Sequence, residues 1–86
     1  MAKYKGLYTE ELYRSLKPIP KKDVARILRK TKALTHEPRP IGSQKLSGQE
    51  RYRLRQGDYR ILYSIEGARL IVVVVKLGRR RQVYEH

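Results

Sequence analysis

Seven arginines and one tyrosine carry the chemistry open to this sequence. Arg51, Arg53, Arg55 and Arg60 stand close together, and Arg79, Arg80 and Arg81 run consecutively just ahead of Tyr84. Guanidinium forks match phosphate geometry, and bases stack on tyrosine rings or guanidinium planes. The plainest chemistry of such a set is therefore binding of nucleic acid. The same set also suits cleavage of RNA without a metal. There the ribose 2′-OH attacks the adjacent phosphorus, so the nucleophile belongs to the substrate. The protein must take up one proton, stabilise a phosphorane-like dianion and protonate the leaving 5′ oxygen. Arginines supply the charge stabilisation. A tyrosine among cations has its phenolate favoured and becomes a base. Residue types and spacing leave both chemistries open.

Other chemistries find little support. His36 and His86 lie far apart with no carboxylate cluster around either, and there is no cysteine, so no metal site or cofactor is expected. No Ser-His-Asp or Cys-His arrangement can be assembled, and Gly57 and Gly67 read as turn glycines rather than a phosphate-cradling loop. The 86 residues allow one small domain, residues 1–86, with one core. Twenty-one Lys+Arg against eight Asp+Glu give a formal charge of +13. Such a charge favours an anionic partner and is silent about fold. Nucleic acid leads as that partner, ahead of an acidic protein and an anionic membrane surface. No apolar run approaches the roughly 18 residues of a membrane span. The first residues lack the apolar region of a signal peptide, so a cytoplasmic location is the default expectation. The aromatic residues are seven tyrosines with no Phe or Trp, and their number alone does not choose between packing and stacking.

The elements that must position the arginines follow from spacing. Residues 51–63 read as a strand, a tight turn and a second strand. Tyr52, Leu54, Tyr59, Ile61 and Tyr63 form an apolar face, and Arg51, Arg53, Arg55 and Arg60 a cationic one. A two-residue turn at Gln56-Gly57 places Arg55 opposite Asp58 and Arg53 opposite Arg60. A three-residue loop would mix the two faces, and a one-residue slip flips every side chain. Two arginines directly opposite repel, a cost that an anion-binding site justifies.

Upstream, residues 3–8 read as a short strand. Thr9 caps a helix over Glu10–Leu16, with Leu12, Tyr13 and Leu16 on one side. Pro20 opens a second helix that runs to about Thr35. Val24, Ile27, Leu28, Thr31 and Leu34 form its buried stripe. Arg26, Arg29 and Lys30 lie mostly off that stripe, as a solvated cationic face or as contacts to the phosphates of a large RNA. His36 to Gly48 reads as a loop, with Lys45-Leu46 a brief tie-down. Downstream, a Gly67-Ala68 turn leads into Leu70–Leu77, whose run of β-branched and leucine residues reads as the middle strand of the sheet. Gln82–His86 is compatible with one more short strand. The order β-α-α-β-β-β predicts an α+β fold, two N-terminal helices on one face of a small, mainly antiparallel sheet. The opposite face carries the four arginines beside Leu62, Ile71, Val73 and Val75, and an exposed patch of that kind usually marks a partner site.

With these elements in place, the sequence resembles the RelE/ParE toxin superfamily, in particular its RelE branch. The resemblance covers nearly the whole chain. It is carried by Tyr52-Arg53-Leu54-Arg55, by Gly57-Asp58-Tyr59-Arg60-Ile61-Leu62-Tyr63, and by the ending from Val75-Lys76-Leu77-Gly78 through Arg79, Arg80 and Arg81 to Val83-Tyr84. It implies a RelE-like toxin of a type II toxin–antitoxin system that cuts mRNA in the ribosomal A site. It also implies contacts to 16S rRNA and a RelB-like antitoxin that wraps and blocks the toxin. The resemblance places the catalytic set on Arg53, Arg60, Arg80 and Tyr84. Arg60 grips the scissile phosphate, Arg80 binds phosphate or protonates the leaving group, and Tyr84 acts as base or stacks and orients one. RNA and ribosome contacts fall to Arg51, Arg55, Arg79, Arg81, Lys45, Arg26, Arg29 and Lys30. Some relatives carry lysine where this chain has Arg51 and Arg53. An arginine effectively cannot lose its proton, which shifts the burden of a base to Tyr84. The chain ends two residues after Tyr84, so the terminal helix that some relatives displace in regulation is not expected here. Two other readings stand beside this one: a ParE-like inhibitor of gyrase acting through protein contacts, and a non-enzymatic RNA- or ribosome-binding module.

Overall fold

The computed structural model describes residues 3–46 and 50–78. Its element order is β1 (Lys5–Tyr8), α1 (Glu10–Leu16), α2 (Lys21–Leu34), β2 (Ser43–Leu46), β3 (Arg51–Gln56), β4 (Tyr59–Glu66) and β5 (Arg69–Leu77). The strands form one five-stranded sheet in the order β1-β5-β4-β3-β2. The three pairings of β2, β3, β4 and β5 are antiparallel, and β1 runs parallel to β5. This is the expected α+β architecture. The segment expected as a final short strand, 82–86, lies outside the described residues.

The core forms where alternation in the strands meets the helical stripe. Tyr52 and Leu54 of β3, Ile61, Tyr63 and Ile65 of β4, and Leu70, Val72 and Val75 of β5 are buried with Leu12, Ile27 and Leu34. The rings of Tyr52 and Tyr63 stack with centroids 5.5 Å apart, as expected for aromatic residues paired across antiparallel strands. The helical stripe is narrower than its spacing predicts. Ile27, Thr31 and Leu34 are buried, Val24 is half-buried, and Leu28 is exposed. On α1, Leu12 is buried while Tyr13 is exposed.

Thr9 caps α1 as expected, accepting from the Leu12 amide at 3.0 Å. The same hydroxyl donates to the Val73 carbonyl at 2.6 Å, and the Val75 amide donates to Ser15 Oγ at 3.1 Å. β1 pairs with β5 only as far as Val72. Beyond that point α1 takes over the edge of β5 and satisfies backbone groups that a bare edge would leave open.

Several strand expectations need correction. The central strand is β4, with the valine strand β5 one place to its side. Ser43–Leu46 is a full strand paired with β3 rather than a loop tie-down. The turn of the central hairpin is Gly57-Asp58, because Gln56 pairs with Tyr59. Gly57 has φ +60, and no non-glycine residue among those described has positive φ. Positive φ at the first central position alone is the type II′ pattern, which calls for glycine there. The register therefore moves by two residues. Arg55 faces Arg60, and Arg53 faces Leu62. A two-residue move preserves parity, so the apolar and cationic faces stay separate. Finally, the β4–β5 register slips between Leu62 and Tyr63, leaving Val73 as a bulged residue. The bulge turns Val75 into the core and brings Val74 and Lys76 to the opposite face.

Candidate active site and RNA interface

The helix-free face of the sheet is built in cross-strand rows. The row nearest the β3–β4 turn is Arg55–Arg60–Lys76. The next is Gln44–Arg53–Leu62–Val74, and the third is Leu46–Arg51–Ser64–Ile71. Residues directly opposite have Cβ atoms roughly 4.5–5.5 Å apart, so the first row packs three cations side by side. The ion pairs among the described residues are Arg14–Glu10, Arg39–Glu50, Lys45–Glu50 and Arg69–Glu66, and none neutralises this row. Like charges held opposite destabilise a sheet. An anion drawn to the row offsets that repulsion.

Arg60 is the most constrained member. Its Nε is buried and makes no hydrogen bond among the described residues. Its side chain lies against Gly78. A Cβ at that position would stand 2.6 Å from Arg60 Nε, 2.8 Å from Cγ and 2.9 Å from Cδ. Gly78 is itself fixed by its amide, which donates to the Asp58 carbonyl at 2.7 Å. Any side chain at this position would have to displace the arginine stem. Arg60 is thus a side chain seated on backbone, its Nε buried without a partner among the described residues, and a buried donor without a partner is costly in a finished fold. Arg53 is steadied differently, donating from Nη2 to Oε1 of Gln44 on β2.

A groove of about 220 Å³ continues from this row. Leu46, Leu62, Val73 and Val74 give it an apolar floor, while Arg51, Lys76 and Glu11 of α1 stand around it. The face thus offers cations at one end and an apolar trough beside them, matching the two parts of a nucleotide, phosphate and base.

The structure brings together Arg51, Arg53, Arg55 and Arg60. It places Lys45, Arg26, Arg29 and Lys30 elsewhere. Lys45 pairs across the sheet with Tyr52 on the helix side, and its Nζ lies 2.9 Å from Glu50. Arg26 lines a cleft with Asp23 and Gly57, Arg29 is exposed on α2, and half-buried Lys30 lies near Leu54. Arg79, Arg80, Arg81 and Tyr84 lie outside the described residues. Lys76 was missed by sequence reasoning. Strict alternation along β5 assigns it to the core side, and only the bulge at Val73 moves it beside Arg60.

A second charged cluster sits on the helix side. Glu50 accepts from Arg39 at 3.1 Å and from the Tyr52 hydroxyl at 3.0 Å, and Arg39 Nε donates to the same hydroxyl at 2.8 Å. The Lys45 ammonium, then the Tyr52 hydroxyl and the Arg39 guanidinium, hold the Glu50 carboxyl at about 2, well below the usual carboxylate range. The Tyr63 hydroxyl donates to the Pro38 carbonyl at 2.6 Å, and burial pushes this phenol up. These contacts tie the 36–42 loop to the sheet.

Comparison with known proteins bears on family and fold. A family model described as the ParE toxin of the type II toxin–antitoxin system, parDE, matches residues 4–84. A search of curated protein sequences returns no significant match. Among solved structures, the RelBE2 toxin–antitoxin complex of Mycobacterium tuberculosis superposes with a TM-score of 0.77 at 22% identity, covering 87% of this chain and 98% of that one. The archaeal RelE–RelB complex of Pyrococcus horikoshii gives 0.76 at 26% identity, covering 93% and 99%. The isolated E. coli RelE toxin gives 0.77 at 20% identity, covering 94% and 90%.

Proposed function

The chain belongs to the ParE toxin family of type II toxin–antitoxin systems, within the RelE/ParE superfamily, and on that footing we propose that it is a metal-independent endoribonuclease that cuts mRNA in the ribosomal A site. The observation that carries this reading is the row Arg55–Arg60–Lys76, with the Arg60 Nε lacking an acceptor among the described residues. Arg60 holds the scissile phosphate, and Arg53 and Arg80 add charge as the phosphorane forms. The Tyr84 phenolate takes the proton of the attacking 2′-OH. Arg51 cannot share that task, since a guanidinium keeps its proton. Arg55, Arg79 and Arg81 hold the flanking backbone, and Arg26, Arg29, Lys30 and Lys45 reach rRNA from the helix side. A RelB-like antitoxin is the natural partner of such a toxin. Its acidic residues would meet the +13 chain, and exposed Tyr13 and Leu28 offer apolar surface.

Induced expression should stop growth, and primer extension on mRNA from a translating extract should show cuts in A-site codons. Arg60→Ala and Tyr84→Ala should each restore growth while the protein still binds the antitoxin encoded beside it. Toxicity unchanged by both substitutions would sink the reading. The family description itself favours a second one, a ParE-like gyrase inhibitor. That reading predicts DNA damage on induction with mRNA left intact.

A further inference from the structure

Lys76 lies beside Arg60 on the neighbouring strand, on the face proposed to hold RNA, and it stands outside the proposed set of Arg53, Arg60, Arg80 and Tyr84. Three observations single it out. Its backbone pairs directly with Arg60, so its side chain leaves the same face within reach of whatever anion Arg60 holds. Its side chain makes no ion pair or hydrogen bond among the described residues and is exposed, so its ammonium is available. It also lines the end of the groove that runs over Leu62 and Val74 toward Arg51. The fold spends an irregularity to put it there, since the bulge at Val73 sets the lysine on this face in place of Val75.

The other described cations of these rows, Arg51, Arg53, Arg55 and Arg60, are all guanidinium groups. They neutralise charge well and give up protons poorly. The departing 5′ oxygen needs a proton, and an ammonium yields one far more readily than a guanidinium. We propose that Lys76 is the general acid of the cleavage, donating a proton to the leaving 5′ oxygen while Arg55 and Arg60 hold the phosphate. In that step the 2′ oxygen forms its bond to phosphorus and the bond from phosphorus to the 5′ oxygen breaks. The 2′-OH proton passes to the Tyr84 phenolate, and a Lys76 proton passes to the 5′ oxygen. The products are a 2′,3′-cyclic phosphate and a 5′-OH end. The lysine regains its proton from water. This assignment rests on the endoribonuclease reading.

The test uses programmed ribosomes and an mRNA with a single 5′-bridging sulfur at the cut. A thiolate leaves without protonation, so the chemistry of the leaving group is isolated. Lys76→Ala and Lys76→Arg should each slow cleavage of the ordinary mRNA by about a hundredfold or more, and both should recover to near the wild-type rate on the sulfur-containing one. Arg60→Ala should be slow on both. Full activity of Lys76→Arg on ordinary mRNA would overturn the assignment, because charge alone would then suffice. A loss that persists on the sulfur substrate, in variants that still bind the antitoxin, would overturn it too. If the wild-type chain cuts neither mRNA, the endoribonuclease reading falls and this step with it. If it cuts both and Lys76→Ala is unaffected, only the role of Lys76 falls.

Discussion

Arg60 shows how one side chain is readied by its neighbours. Its position comes from β4, its company from Arg55 and Lys76, and its seat from Gly78. A methyl group at Gly78 cannot be accommodated without moving the arginine stem. Gly78→Ala is therefore expected to lower stability by about 1–3 kcal/mol, the usual range for overpacking. It should also slow A-site cleavage at least tenfold, through displacement of Arg60. Urea unfolding and primer extension read the two effects separately. A substitution that lowers stability and leaves cleavage intact would mean the arginine finds its position without the glycine. The gathering of Arg51, Arg53, Arg55 and Arg60 on one face was legible in the sequence, because strand alternation gives them one parity. The role of Gly78 was not. Its requirement comes from a contact with a residue 18 positions earlier rather than from its own backbone angle.

At the level of elements, the sequence was most readable where local chemistry decides the structure and least where one turn residue does. Thr9, the alternation of β3 and β4, and the Gly67-Ala68 turn all follow local rules. The central hairpin obeys the same rule as the second one, glycine at the first central position with φ near +60. Reading Gly57 like Gly67 would have given the observed register. β2 was hidden because Ser43–Leu46 has no strand-like alternation of its own, and it is held by pairing with β3. The Arg39–Lys45–Glu50–Tyr52 cluster ties down this margin of the sheet, and its behaviour with pH follows from Glu50. A carboxyl at about 2 in the folded chain lies below its unfolded value, so its contribution is complete above the ordinary carboxylate range. That contribution is lost as pH falls through about 2. The urea midpoint of the wild type relative to Glu50→Gln should therefore shrink between about pH 4.5 and pH 2 and stay level above that window. An unchanged difference across the window would show that the cluster does not support the fold.

For the molecule as a whole, the two layers divide the work. The helix-free face holds the proposed chemistry, and the helix layer presents exposed Arg26 and Arg29 on α2 with half-buried Lys30 beside them. The net charge of +13 was plain from composition, and its division between two sides followed from the expected helix layer and the alternation of the hairpin. The helix-side cations should act on affinity and leave the chemical step alone. If the full chain meets about five phosphates of single-stranded character, the logarithm of its ribosome affinity should fall with log salt at a slope of about −3.5. Replacing Arg26, Arg29 and Lys30 together by alanine should make that slope shallower by about 2. Cleavage of already bound mRNA should stay at the wild-type rate. A salt titration of ribosome binding measures the first, and single-turnover cleavage the second.

The bulge at Val73 is one residue that β5 carries in excess of its partner strand. Deleting Val73 would close the bulge and leave the pairings on either side, Tyr63 with Val72 and Leu62 with Val74, as they stand. Val75 would stay in the core and Lys76 beside Arg60. One further valine inserted there would leave the segment as hydrophobic as before and look just as conservative. It would turn the end of β5 over, carrying Val75 out of the core and Lys76 into it. Related chains should therefore tolerate loss of the bulged residue far better than a gain of one beside it.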